Sequence, residues 1–140
     1  MYDVAIIGGG ICGCSLLYEL SRYRVSAVLL EKENDVSVGT TKANSAIVHA
    51  GYDPEPGSLM ARYNVEGNRL IHELCEKLDV PFKPVGSLVL AFSEEDCRTL
   101  EKLYERGMEN GVPGMKILNS SELHEMEPNV SEKAIAALYA

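Results

Sequence analysis

The sequence predicts an α/β chain that opens on a parallel βαβ unit of Rossmann type and continues into mixed α+β structure. Three observations carry this. Val4-Ala5-Ile6-Ile7 is an apolar run without alternation, the pattern of a strand buried on both faces of a parallel sheet. Gly8-x-Gly10-x-x-Gly13 follows at once and opens a helical stretch from about Ile11 to Tyr23, with Leu16, Leu17 and Leu20 as its apolar positions. Ser26-Ala27-Val28-Leu29-Leu30-Glu31 is then a second buried strand that ends on an acid. Strand, helix and strand fit within about 30 residues, the size of a βαβ unit.

The elements after this unit can be read in order. Lys32 to Lys42 is a polar loop, and Ala43 to Tyr52 mixes small and apolar residues. Pro54, Pro56 and Gly57 punctuate the chain, and Ser58 is placed to cap a long helix that ends near Pro81. Leu59, Tyr63, Gly67, Leu70/Ile71, Leu74 and Leu78 form its expected apolar stripe, with Arg62, Glu66, Arg69, Glu73 and Glu76 opposite. Gly86 to Phe92 reads as a strand. Ser93 caps a helix with acids in its first turn, where the helix dipole favours them, and Gly111-Val112-Pro113-Gly114 stops it after Asn110. Lys116 to Leu118 is a short extended piece, and Ser120 or Ser121 caps a brief helix ending before Pro128. The run Ala134 to Ala140 has the character of a strand with no stop signal, so the chain is expected to be a fragment of a longer protein.

Composition limits the function classes. Of 140 residues, 46% are hydrophobic and 24% charged, a globular mix long enough to bury a core without disulfides. A net charge of −8 argues against binding a phosphate backbone, so no nucleic-acid partner is expected. Cys12, Cys14, Cys75 and Cys97 form no C-x-x-C pair and have no histidine at ligand spacing; they are read as buried or half-buried free thiols, and no metal is expected. Val4 to Leu17 is too short to span a bilayer and lacks a basic leader, so no membrane association is indicated and a cytoplasmic location is expected.

The glycine cluster carries the chemistry. In such a fingerprint the first glycine permits the tight turn, the second lets backbone approach a pyrophosphate, and the third lets helix and strand pack closely. The helix N-terminus, at Ile11, Cys12 and Gly13, offers unpaired N–H groups and a partial positive charge to a diphosphate. Glu31, 18 residues past Gly13, stands where a carboxylate accepts from adenosine ribose hydroxyls and repels a ribose phosphate, which disfavours NADP. Glu31 does not separate NAD from FAD. The run from Gly39 to Gly51 bears on that choice, because Thr40, Thr41, Asn44 and Ser45 set hydroxyls and an amide among small residues, suited to lie against an extended polar ligand. A solvated loop followed by an unrelated strand is the plainer reading of the same run.

With these residues in view, the chain resembles FAD-dependent oxidoreductases of the D-amino-acid-oxidase-like superfamily. The likeness rests on the glycine fingerprint, on Glu31-Lys32 and on Asn44-Ser45-Ala46-Ile47-Val48-His49-Ala50-Gly51. It continues through Pro56-Gly57-Ser58-Leu59, Val65-Glu66-Gly67, Gly86-Ser87-Leu88-Val89 and Asn110-Gly111-Val112-Pro113. Within the superfamily the chain is most similar to glycerol-3-phosphate dehydrogenase-like flavoproteins and to L-2-hydroxyglutarate oxidases and dehydrogenases. Leu17 and the glycine-free turn Arg22-Tyr23-Arg24 depart from the usual pattern.

The resemblance implies FAD as cofactor and a division of the chain into residues 1–80, an ADP-binding segment, and residues 81–140, the incomplete start of a substrate domain. It implies a small anionic secondary alcohol as substrate, glycerol 3-phosphate first and L-2-hydroxyglutarate second, with an unidentified electron acceptor. His49 falls near the flavin ring, where an imidazole can position substrate or take its hydroxyl proton; a packed histidine bonded to backbone is the plainer alternative. His72 and His124 are read as solvated or unassigned, and Lys42, Arg62 and Lys83 as surface charge or parts of an anion site. An NAD-dependent dehydrogenase and a non-catalytic nucleotide-binding module remain rival readings.

Overall fold

The structure is a computed structural model that describes residues 1–140. The chain forms two compact units, Met1–Ile47 and Val48–Ala140.

The first unit is the βαβ unit. Strands β1 (Val4–Ile7) and β2 (Ala27–Leu30) pair in parallel, Val4 opposite Ala27 through Ile7 opposite Leu30, with helix α1 (Ile11–Leu20) between them. Helix α1 stops at Leu20 rather than Tyr23. The N–H groups of Arg22 and Tyr23 turn to the carbonyls of Glu19 and Leu20 three residues back, a tightening that ends the α-helical ladder. Burial on both faces is also corrected. Ile6 is 6% exposed, whereas Ile7 is 87% and Leu30 53% exposed. The cause is layering: two strands and one helix cover one face of the sheet and leave the other open. From Glu31 to Ile47 the chain has no helix or strand.

The second unit begins with helix α2 (Leu59–Lys77), capped by Ser58, whose hydroxyl accepts from the Ala61 N–H at 3.1 Å. It ends at Lys77, short of Pro81: Asp79 takes a positive φ of 53° and the Val80 N–H reaches back to the Cys75 carbonyl. Its packed face also differs from the expected stripe. Ala61 and Cys75 are buried and Val65 packs on the core, while Leu59, Tyr63, Leu70 and Leu78 are exposed. Helical periodicity finds an apolar stripe, but which stripe meets a neighbour depends on how the helix docks.

A three-stranded antiparallel sheet completes the unit, in the order β3 (Leu88–Ala91), β5 (Ala136–Tyr139), β4 (Lys116–Asn119). Helix α3 (Glu94–Asn110) joins β3 to β4 and α4 (Ser120–Met126) follows β4. Successive residues of β5 point to opposite faces, so Leu138 joins a core of Ala91, Leu100, Val112 and Met115 under α3, and Ala137 joins Leu118, Leu123 and Ala134 beside α4. Ser93 caps α3 as expected, accepting from Asp96 N–H at 3.2 Å. Gly111 ends it in the left-handed region, φ 81°, with the Val112 N–H on the Gly107 carbonyl, the arrangement a glycine at this place permits. For α4 the cap is Asn119 rather than Ser120 or Ser121. Its side chain accepts from Glu122 N–H while Glu122 accepts from Asn119 N–H, and this reciprocal box satisfies two donors where a serine one place on would satisfy one. No helix is long and apolar enough to cross a membrane.

Candidate functional site: the glycine turn

Between β1 and α1 the chain must reverse tightly, and the glycines show how. Gly8 has φ +101°, a conformation that side chains rarely adopt, and its N–H bonds to the Leu30 carbonyl at 2.8 Å, tying the turn to β2. A Cβ on Gly13 would overlap the Gly8 carbonyl oxygen, so only a bare α-carbon lets α1 sit this close to β1. Gly10 is the extended N-cap of α1 and offers no side-chain cap. The Ile11 N–H is met instead by the Thr41 hydroxyl oxygen at 2.9 Å, from 30 residues away. By helix geometry the N–H groups of Cys12 and Gly13 have no carbonyl partner in α1.

Gly9, which the fingerprint leaves unassigned, is the buried centre of this turn. Its N–H donates to Glu31 Oε2 at 2.6 Å, and its carbonyl accepts from the Ser37 N–H at 2.8 Å and from Cys14 Sγ at 3.4 Å. A Cβ there would stand 3.1 Å from both Glu31 Oε2 and Val36 Cγ1. The other Glu31 oxygen accepts from the Glu33 N–H at 3.0 Å. These bonds, Glu33 first and then Gly9, with Lys32 adding to them, hold the Glu31 carboxyl below its ordinary range and outweigh the opposing effect of desolvation. Glu31 is therefore a braced carboxylate beside the phosphate-type loop, with lone pairs left over for hydroxyl donors.

The turn thus brings Gly8, Gly10, Ile11, Gly13, Glu31 and Thr41 together. Cys12 stands exposed in the first turn of α1, which corrects the reading of it as a buried or half-buried thiol; Cys14 is half-buried, and all four cysteines are free. Lys32 points to Glu33, Nζ to Oε1 3.4 Å, and Thr40, Asn44 and Ser45 are exposed on the loop. The Asn44 side chain is spent locally, on the Thr41 carbonyl and the Ala46 N–H. His49 belongs to the second unit; its side chain is exposed and its carbonyl accepts from Asn68 Nδ2 at 3.1 Å. His72 is exposed against the Phe82 ring, and Arg62 pairs with Glu66 at 3.8 Å. Gly9 and Ser37 were missed because a run of three glycines hides which one is enclosed, and a loop serine contributes here through its backbone.

The residues present fit the ADP half of a dinucleotide: a positive-φ turn, glycines at which a Cβ would press on Glu31, Thr41 or the Gly8 carbonyl, a helix start without a side-chain cap, and a braced carboxylate. Comparison with known proteins agrees. The chain is 56% identical over all its 140 residues to a glycerol 3-phosphate dehydrogenase of Caloramator mitchellensis, of which it covers 29%. It is 38% identical over 97% of its length to a glycerol 3-phosphate oxidase of Mycoplasma genitalium, covering 36% of it. It is 39% identical over 94% of its length to the mitochondrial L-2-hydroxyglutarate dehydrogenase of Dictyostelium discoideum, covering 30% of it. Among solved structures, the FAD-bound, dithionite-reduced L-α-glycerophosphate oxidase of Mycoplasma pneumoniae superposes with a TM-score of 0.89 at 35% identity, over 99% of this chain and 37% of that one. The chain thus spans about a third of the length of these relatives. The model of the DAO family, described as FAD dependent oxidoreductase, matches residues 3–140, and the chain belongs to that family.

Proposed function

We propose that this chain is the ADP-binding part of a FAD-dependent enzyme that oxidises a small anionic secondary alcohol, with glycerol 3-phosphate as substrate. The observation that carries the reading is the Gly8–Gly13 turn with Glu31 braced across it, in a chain 56% identical to a glycerol 3-phosphate dehydrogenase. The cofactor contacts would come from Gly8, Gly10, Ile11, Cys12 and Gly13 for the diphosphate and from Glu31 for the adenosine ribose. Lys32, Thr40, Thr41, Asn44 and Ser45 would line the remainder. Bound FAD supplies the two-electron acceptor that takes hydride from the substrate carbon. His49 takes the hydroxyl proton or holds the hydroxyl in line. In this reading residues 1–80 serve the cofactor and 81–140 begin the substrate domain. That division concerns ligands, whereas the compact units part at Ile47 and Val48. The electron acceptor is a separate partner, and the enzyme works in the cytoplasm.

L-2-hydroxyglutarate is the second substrate, favoured by the 39% identity to the Dictyostelium dehydrogenase. The test is the absorption spectrum of the purified full-length protein before and after anaerobic addition of each compound. Flavin bands that bleach with glycerol 3-phosphate support the first reading, and bands that bleach only with L-2-hydroxyglutarate replace it with the second. A colourless protein that does not take up FAD sinks both.

A further inference from the structure

The segment from His49 to Glu55 has neither helix nor strand, so no backbone ladder holds it. Its order comes from side chains on two helices of the same unit. Asn68, on α2, donates Nδ2 to the His49 carbonyl at 3.1 Å. Asn110, the last residue of α3, donates to the Gly51 carbonyl at 2.9 Å and to the Pro54 carbonyl at 2.9 Å. An amide nitrogen carries two hydrogens, so one Asn side chain closes the loop across both acceptors. Arg106, one turn earlier on α3, donates Nη1 to the Asp53 carbonyl at 2.8 Å and faces Glu55 at 3.6 Å.

Packing fixes the same segment. Gly51 is buried with φ +107°, and a Cβ there would stand 2.7 Å from Val65 Cγ2 on α2. Tyr52 packs on the core under α3, and a Cβ on Gly107 would stand 2.8 Å from the Tyr52 Cβ. Four carbonyls of an irregular segment, at 49, 51, 53 and 54, thus accept from protein side chains. An exposed loop with no positional duty could leave those carbonyls to water.

We infer that Asn68 and Asn110 are positioning residues for His49: from α2 and α3 they hold its own carbonyl and the backbone that follows it, at Gly51 and Pro54, and so set where its imidazole stands. This rests on the reading of His49 given above. It also accounts for the Asn110-Gly111-Val112-Pro113 turn, in which Gly111 and Pro113 end the helix and Asn110 holds the loop. A reacting group displaced by about 1 Å loses about a hundred-fold in rate, so a clamp of this kind acts on the chemical step more than on binding.

The test uses the full-length holoenzyme with Asn110→Ala, Asn110→Asp, Asn68→Ala and His49→Gln. Two readouts are needed: the anaerobic rate of flavin reduction by glycerol 3-phosphate, and the rate of chymotryptic cleavage after Tyr52, which reports the loop leaving its seat. Asn110→Ala is expected to slow reduction by about ten-fold, to move KM less than about two-fold, and to speed cleavage by about ten-fold. Asn110→Asp keeps the shape without either donor hydrogen and should not rescue. Should Asn110→Ala not yield folded holoenzyme, Asn68→Ala, which removes one bond from a half-buried residue midway along α2, carries the test with the same two readouts. Cleavage as slow as in the wild type overturns the clamp. Faster cleavage with unchanged reduction, in an enzyme that His49→Gln does impair, overturns its positioning role. Reduction unaffected by His49→Gln overturns the reading of His49 instead, and the cleavage rate then decides the clamp by itself.

Discussion

Strands β1 and β5 are the same kind of segment in composition, Val-Ala-Ile-Ile and Ala-Ala-Leu-Tyr, four residues each without a charge. Their fates differ. β5 lies between two strands with packed clusters on both faces, and Ala137 and Leu138 are 0% exposed. β1 has one strand neighbour and one helix; Ile6 is enclosed against Gly13 of α1, while Ile7 faces outward. An apolar run states what a strand tolerates, and the layers around it decide what it buries. The same contrast runs through the two units. The second is stabilised by its own core and caps, whereas the first places its closest fits, Gly9 with Glu31 and Gly13 with Gly8, at a turn shaped for a ligand.

The largest expected effect tests this contrast directly. Leu138→Ala should destabilise the second unit by about 3 kcal/mol, because a fully enclosed side chain leaves a cavity. Ile7→Ala in the 140-residue chain should cost no more than about 0.5 kcal/mol. In the full-length protein, where the sheet is expected to continue, the Ile7 cost should rise to about 2 kcal/mol. Denaturant unfolding of both variants checks this, and an equally small Ile7 cost in the longer protein would show that this face of β1 stays open.

A smaller effect concerns what the first unit does with its close fits. Glu31→Gln keeps the size of the side chain but removes the charge that strengthens bonds from ribose hydroxyls. FAD affinity of the full-length apoprotein should fall by about ten-fold, read by quenching of flavin fluorescence. Because bonded N–H groups hold the Glu31 carboxyl below its ordinary value of 4.5, it stays charged through neutral and mildly acid pH. The affinity difference between wild type and variant should therefore be flat there and close only as pH falls through the lowered value. A difference that already shrinks near neutral pH would contradict the bracing.

The smallest effect belongs to a cap in the second unit. Asp96 accepts from the Phe92 N–H at 2.9 Å and is bonded to Ser93, which together hold its carboxyl below the ordinary 3.8. A lowered folded value means that the stabilisation is complete above the ordinary value and is lost as pH falls through the lowered one. Asp96→Asn should thus lower Tm slightly at neutral pH, with the gap to wild type closing in acid. A gap independent of pH would assign the effect to shape rather than charge.

Much of this protein is determined locally and is legible in the sequence. The βαβ order, the two serine caps at Ser58 and Ser93, the glycine stop at Gly111 and the close fit of Gly13 on Gly8 depend on residues close in sequence or on a spacing that a single turn imposes. Asn119 as the α4 cap was hidden by two serines beside it, since a capping box is chosen by which side chain reaches Glu122. What only the tertiary structure decided are relations between distant segments: the exposed faces of β1 and α2, the bond from Thr41 to Ile11, the enclosure of Gly9, and the hold of Asn68 and Asn110 on residues 49–54. No periodicity encodes these contacts, because each depends on where a second element docks, and docking is settled by packing summed over the whole unit.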